Sequence, residues 1–170
     1  RIDAGAMFIM NGGELKNICD FTVAIDNYGT TTINYGKLSS VHSTIANHGT
    51  MTVNDGEFVC DGLEGVTAHV VWAAAGTTTI NGGSFNGKDN YNGFNVDTSE
   101  GAVVNIYGGN VIASGSLYYD GIRQFCNSTT NKNSVTINGG VVEGYNAIWM
   151  QNPNNKTVNG SLAITGGEVK

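Results

Sequence analysis

The residues able to do acid–base or metal chemistry are few: 14 Asp and Glu, 3 His and 3 Cys among 170 residues. Cleaving a glycosidic bond takes two carboxylates facing each other across it, and a lyase step takes a base beside a neutralising cation or metal. The closest acidic pairs are Asp55 with Glu57 and Asp61 with Glu64. Asp89, in GKDNYNG, departs from a calcium loop, because Tyr91 stands where a ligand is required. His42, His48 and His69 share no spacing with a serine or carboxylate. Cys19, Cys60 and Cys126 are odd in number, fit no zinc template and are too sparse for a disulfide framework. They read as buried, inert thiols, with one disulfide and one thiol as the alternative. No catalytic residue, metal ligand or cofactor is assigned, and enzymatic activity is not expected.

A second kind of chemistry is recognition. Tyr91, Tyr118, Tyr119, Asp120, Arg123, Tyr145 and Trp149 bring aromatic faces together with carboxylate and guanidinium groups in the second half of the chain. Such mixtures suit sugar rings, whose C–H faces stack while their hydroxyls hydrogen-bond. Trp149 is expected to point outward, because Ile148 and Met150 flank it. The competing reading is that these tyrosines cover the molecule at loop bases or form a subunit contact.

The elements that must position these residues come from a repeat. MNGGEL, INYGKL, VNDGEF, INGGSF, IYGGNV, INGGVV and ITGGEV recur with register glycines Gly13, Gly36, Gly56, Gly83, Gly109, Gly140 and Gly167, at steps of 20 to 31 residues. Periods of that size mark stacked architectures. Each copy has strand chemistry: Met51 and Val53 alternate with Thr50 and Thr52, and Thr78 and Ile80 with Thr77 and Thr79. The fixed glycine then marks a turn needing positive φ or close backbone approach. A second apolar position, such as Phe58 or Phe85, opens another strand.

Stacking the copies in parallel puts Met10, Ile33, Val53, Ile80, Ile106, Ile137 and Ile164 in one inward column. Phe8, Thr31, Met51, Thr78, Val104, Val135 and Leu162 make a second. A turn column of Asn11, Asn34, Asn54, Asn81 and Asn138, broken by Tyr107 and Thr165, can pass side-chain hydrogen bonds from rung to rung, or can simply supply good turn residues. A third strand precedes each repeat, with candidates ending at Ile25, Ile45, Trp72, Val96 and Ile148. The expectation is an all-β, single-domain parallel β-solenoid over residues 1–170, of about seven coils with two to three short strands each.

The repeated T-x-T-I-N-G-G phrase resembles the right-handed parallel β-helix repeats of bacterial surface proteins and phage appendages, within the broad pectate-lyase-like group. The resemblance covers nearly the whole chain and brings no signature of a single enzyme family. It implies a non-catalytic structural or attachment module, extracellular, at the cell surface or on a virion. Two alternatives stand beside it. One is a polysaccharide-degrading β-helix enzyme. The other is an ice-binding solenoid, after the outward pairs Thr30/Thr32, Thr50/Thr52 and Thr77/Thr79, which give way to Met7/Ile9 on one side and Val103/Asn105 on the other.

A net charge of −6 without a run of Lys or Arg disfavours nucleic acid and anionic membranes as partners. The longest apolar run, Val70 to Ala75, is too short to cross a bilayer. Starting at Arg1, the sequence reads as an excised or processed piece, and its end rungs carry no cap. Further chain, a partner, or self-association end to end or as trimers is expected to cover those edges. Insertions at Asn86–Asn95, Ser114–Asp120, Asn127–Asn133 and Gln151–Asn159 place the expected glycan contacts in loops of the second half.

Overall fold

The computed structural model describes residues 1–61, 67–87, 94–99, 101–113, 120–125, 132–151 and 160–170, with residues 94 and 95 described by backbone alone. Among them there is no helix; all regular structure is strand, and every pairing is parallel. The chain winds through three ladders; among the described residues the first six coils contribute to all three and the last to the first two.

The first ladder stacks the opening half of β1 (Met7–Asn17) on that of β3 (Thr30–Ser40), then β5 (Thr50–Val53), β8 (Thr77–Ile80), β11 (Val103–Ile106), β14 (Ser134–Ile137) and β17 (Ser161–Ile164). The second stacks the closing halves of β1 and β3 with β6 (Glu57–Cys60), β9 (Ser84–Gly87), β12 (Asn110–Ile112), β15 (Val141–Glu143) and β18 (Glu168–Val169). Because β1 and β3 run unbroken round the corner, with register shifts between Met10 and Glu14, these two ladders form one sheet. The third ladder is separate: β2 (Val23–Asn27), β4 (Ser43–Asn47), β7 (His69–Ala73), β10 (Phe94–Thr98), β13 (Asp120–Phe125) and β16 (Ile148–Gln151).

The predicted columns meet in register. Met10 pairs with Ile33, Ile33 with Val53, Val53 with Ile80, Ile80 with Ile106, Ile106 with Ile137 and Ile137 with Ile164. Side chains from Met10 to Ile137 in that column are buried, whereas Ile164, on a strand with a neighbour on one side only, is 51% exposed. In the second ladder Phe58 and Phe85 stack with centroids 4.6 Å apart and planes 5° from parallel. Offset ring stacking in a dry interior adds about 1 kcal/mol to the burial of the two rings.

At the corner between these ladders all seven register glycines take positive φ, from +83° to +137°. The reason is visible at Gly83, whose φ is +97° and where a Cβ would lie 3.0 Å from the carbonyl oxygen of Gly56 in the coil below. Turns are thus packed backbone to backbone, which no side chain at that position would allow. The asparagine column does pass hydrogen bonds: Asn34 Nδ2 donates to Asn11 Oδ1 (2.6 Å), Asn54 Nδ2 to Asn34 Oδ1 (2.8 Å) and Asn81 Nδ2 to Asn54 Oδ1 (2.8 Å). Beyond Tyr107 it resumes, with Thr165 Oγ1 donating to Asn138 Oδ1 (2.6 Å).

Three expectations are corrected. The third strands expected to end at Ile25 and Ile45 run on to Asn27 and Asn47, which are fully buried, and Asn27 Nδ2 donates to Asn47 Oδ1 (2.6 Å) as a second, interior ladder. A third-ladder strand, β13, occupies Asp120–Phe125, and Ile148 opens β16 rather than closing it. The thiols are not all buried: Cys60 is, donating to the backbone carbonyl of His42, but Cys19 is exposed. Cys126 lies outside the described residues.

Candidate functional site

Side chains alternate along a strand, so one column of each ladder faces outward. In the third ladder that column runs, pair by pair, Asp26, Ala46, Trp72, Asp97, Arg123, Trp149. Six consecutive coils therefore place two indoles, two carboxylates and a guanidinium in a single line along the rod. Trp72 is 36% and Trp149 39% exposed. They are three rungs apart, a separation of about 14 Å at the usual strand spacing.

Between the tryptophans, Arg123 grips Asp97 with both arms of its guanidinium: Nε donates to Oδ1 (2.9 Å) and Nη2 to Oδ2 (2.6 Å). The Arg123 carbon Cζ lies 5.0 Å from the centre of the Phe125 ring, and Asp97 is buried. A bidentate pair of this geometry holds both partners in one rotamer. His69 lies alongside, its Nδ1 3.7 Å from Asp97 Oδ2. Burial holds the imidazole of His69 down to about 4 from an ordinary 6.5, while Asp97 pulls in the opposite direction and Arg123 and His42 add to the lowering. The imidazole is thus neutral at pH 7. Both oxygens of Asp97 are engaged by Arg123, so the cluster presents a fixed, charge-balanced surface.

Toward the start of the rod the column continues into aromatic side chains. Tyr28 and His48 stack with centroids 4.3 Å apart and planes 2° from parallel, and His48 meets Trp72 edge to face at 5.7 Å. Trp72 Nε1 donates to Ser99 Oγ (3.3 Å), which fixes the indole.

The residues expected to bind ligand fall into three groups. Arg123 and Trp149 are register partners on strands of this face, not loop residues; Trp149 is 39% exposed, but so is its neighbour Met150, at 51%. Tyr145 is exposed in the turn between β15 and β16. Asp120 is buried at the start of β13, where its Oδ1 accepts from the backbone N–H of Asn146 and from Asn146 Nδ2, both at 2.9 Å. It anchors a turn. Tyr91, Tyr118 and Tyr119 lie outside the described residues, as do Glu64 and Asp89. Sequence reasoning missed Asp26, His48, Trp72 and Asp97; the available signal was the step from one third strand to the next, which variable loops conceal.

Elsewhere, Glu57 pairs with Lys37 at 3.1 Å and Asp55 Oδ1 accepts from the N–H of Gly56, which accounts for that acidic pair at the turn. The threonine pairs align as Thr30–Thr50–Thr77 and Thr32–Thr52–Thr79, bounded by Met7/Ile9 and Val103/Asn105, a patch three coils deep. Among the described residues no group of three or more His, Cys, Asp or Glu is placed to hold a metal. Compared with known proteins, the chain matches no family model, no curated protein and no solved structure.

Proposed function

We propose that this chain is a non-catalytic attachment segment of an extracellular assembly, a bacterial surface fibre or a phage appendage of the pectate-lyase-like β-helix kind, that holds a glycan along the outer face of its third ladder. The observation that carries the reading is the single outward column in which Trp72, the Asp97–Arg123 pair and Trp149 follow one another coil by coil. A polysaccharide repeats along its length, and a surface that repeats along the rod can meet several of its rings in turn. Indoles stack on the C–H faces of the rings, while the Asp97–Arg123 pair lies between them as a fixed polar surface.

A glycan array probed with the purified chain is expected to give signals that Trp149→Ala weakens at least tenfold, the scale of one lost aromatic anchor. Circular dichroism should stay unchanged, because Trp149 packs on the outside. An array without a signal, or the release of reducing ends from any bound polysaccharide, would refute the attachment reading.

A further inference from the structure

The outward column of the third ladder contains one small residue. Between Asp26 and Trp72 stands Ala46, so the line of large side chains has a gap one rung deep. Around it Phe21, Thr22, Val23, Asp26, Tyr28, His48 and Trp72 rise to enclose an open groove of about 480 Å³ with Ala46 at its floor. The groove lies in the first half of the chain, well away from Arg123 and Trp149.

Its mouth is built in advance. The loop before β2 is wound round the side chain of Asn17, whose Nδ2 donates to the carbonyls of Cys19 (3.2 Å) and Thr22 (3.1 Å) and whose Oδ1 accepts from the N–H of Cys19 (3.1 Å). That winding leaves Phe21 at φ +60°, a region bulky side chains rarely adopt, with its ring 71% exposed. A ring seated against Phe21 would cover this exposed side chain.

The chemistry of the walls selects among occupants. An organic cation would need an open aromatic face, but Tyr28 is stacked on by His48 and lies under the guanidinium of Arg1, whose Cζ is 4.3 Å from the ring centre. A positive charge at that edge repels a second one. An anionic ligand meets the carboxylate of Asp26 instead. What suits an apolar floor, a partly exposed indole and a carboxylate acceptor is an uncharged ring with hydroxyls at its rim.

We infer that the groove over Ala46 is a subsite for one neutral pyranose ring, seated between Trp72 and Phe21 with Asp26 accepting from its hydroxyls. The inference rests on the attachment reading above and extends that face past Trp72, which both share, toward the start of the rod.

The chain has two tryptophans, Trp72 and Trp149, so each can be made the sole fluorophore. Neutral hexasaccharides of glucose, mannose and N-acetylglucosamine serve as probes, titrated against Trp149→Phe, where only Trp72 reports, and against Trp72→Phe, where only Trp149 reports. At least one probe is expected to change Trp72 emission saturably. Ala46→Leu, which fills the gap from outside the core, and Asp26→Asn, which keeps the shape, should each weaken that response about tenfold, the scale of one lost contact or one charged hydrogen bond. Neither change should alter the Trp149 titration. A Trp72 response that Ala46→Leu and Asp26→Asn leave as tight as in the parent would overturn the subsite and leave the attachment reading standing, because Trp72 belongs to both; a Trp149 response with no Trp72 response to any probe would overturn the subsite and also take Trp72 out of the attachment face. Silence from both tryptophans would remove both.

Discussion

Thr31 and Thr78 occupy the same inward column two coils apart, both fully buried, yet their hydroxyls have opposite fates. Thr78 Oγ1 accepts from Asn47 Nδ2 (2.9 Å), whereas the Thr31 hydroxyl has no hydrogen-bond partner among the described residues. Valine matches threonine in shape. Thr31→Val is therefore expected to raise the stability read from urea unfolding by about 1 kcal/mol, and Thr78→Val to lower it by about 0.5 to 1 kcal/mol, since Asn47 Nδ2 loses one acceptor but keeps the carbonyls of Gly49 and Thr77. His69 gives a pH dependence whose sign follows from its depressed pKa. The folded chain keeps the imidazole neutral down to about pH 4, while an unfolded histidine takes its proton near 6.5. Between those values the unfolded state binds the extra proton, so stability falls as pH drops from 6.5 toward 4, by on the order of 3 kcal/mol in all. His69→Gln should remove that share of the acid sensitivity in urea midpoints measured across this range.

At the level of strands and turns, the stacked corner makes a comparison possible. Gly13 and Gly83 both take positive φ, but a Cβ at Gly13 meets nothing within 4 Å, while one at Gly83 meets the Gly56 carbonyl oxygen at 3.0 Å. Gly13→Ala should cost about 1 kcal/mol for its backbone conformation alone, and Gly83→Ala clearly more, because two coils must separate to admit the methyl group. Paired thermal melts of the two variants would show the difference. The first two ladders were readable from the sequence because one turn of fixed length joins them, so hydrophobic alternation and the glycine stay in phase. The third was readable only in part. In β13 the inward positions include Asp120 and Gln124, buried polar groups that satisfy Asn146 and the Ser161 carbonyl, and residues of that kind read as loop. The strand ends expected at Ile25 and Ile45 fell two residues short for the same reason: Asn27 and Asn47 are buried amides that bond each other, and their type alone does not tell them from turn residues.

Across the whole molecule, the candidate site depends on a relation that spacing does not encode. Asp97 meets Arg123 because 26 residues of coil return the chain to the same face one rung on, and Trp72 meets Asp97 by the same geometry. Loops of unequal length between the second and third ladders hide that register, so Arg123 and Trp149 read with the loops although both stand on strands. The rod itself follows from repetition: each coil buries its inner face against its neighbours, and local patterns summed over seven turns specify one stack.

The ladders are built from strands lying across the rod, with their backbone hydrogen bonds directed from coil to coil along its axis. A tether that pulls on the two chain ends would therefore load few of these bonds at a time, and the outermost coil would peel before the next is strained. Stretched in an optical trap, the molecule should lengthen in a train of similar steps, each about 90 Å for a coil of 26 residues drawn out. On the attachment reading proposed above, such graded yielding would act as a shock absorber.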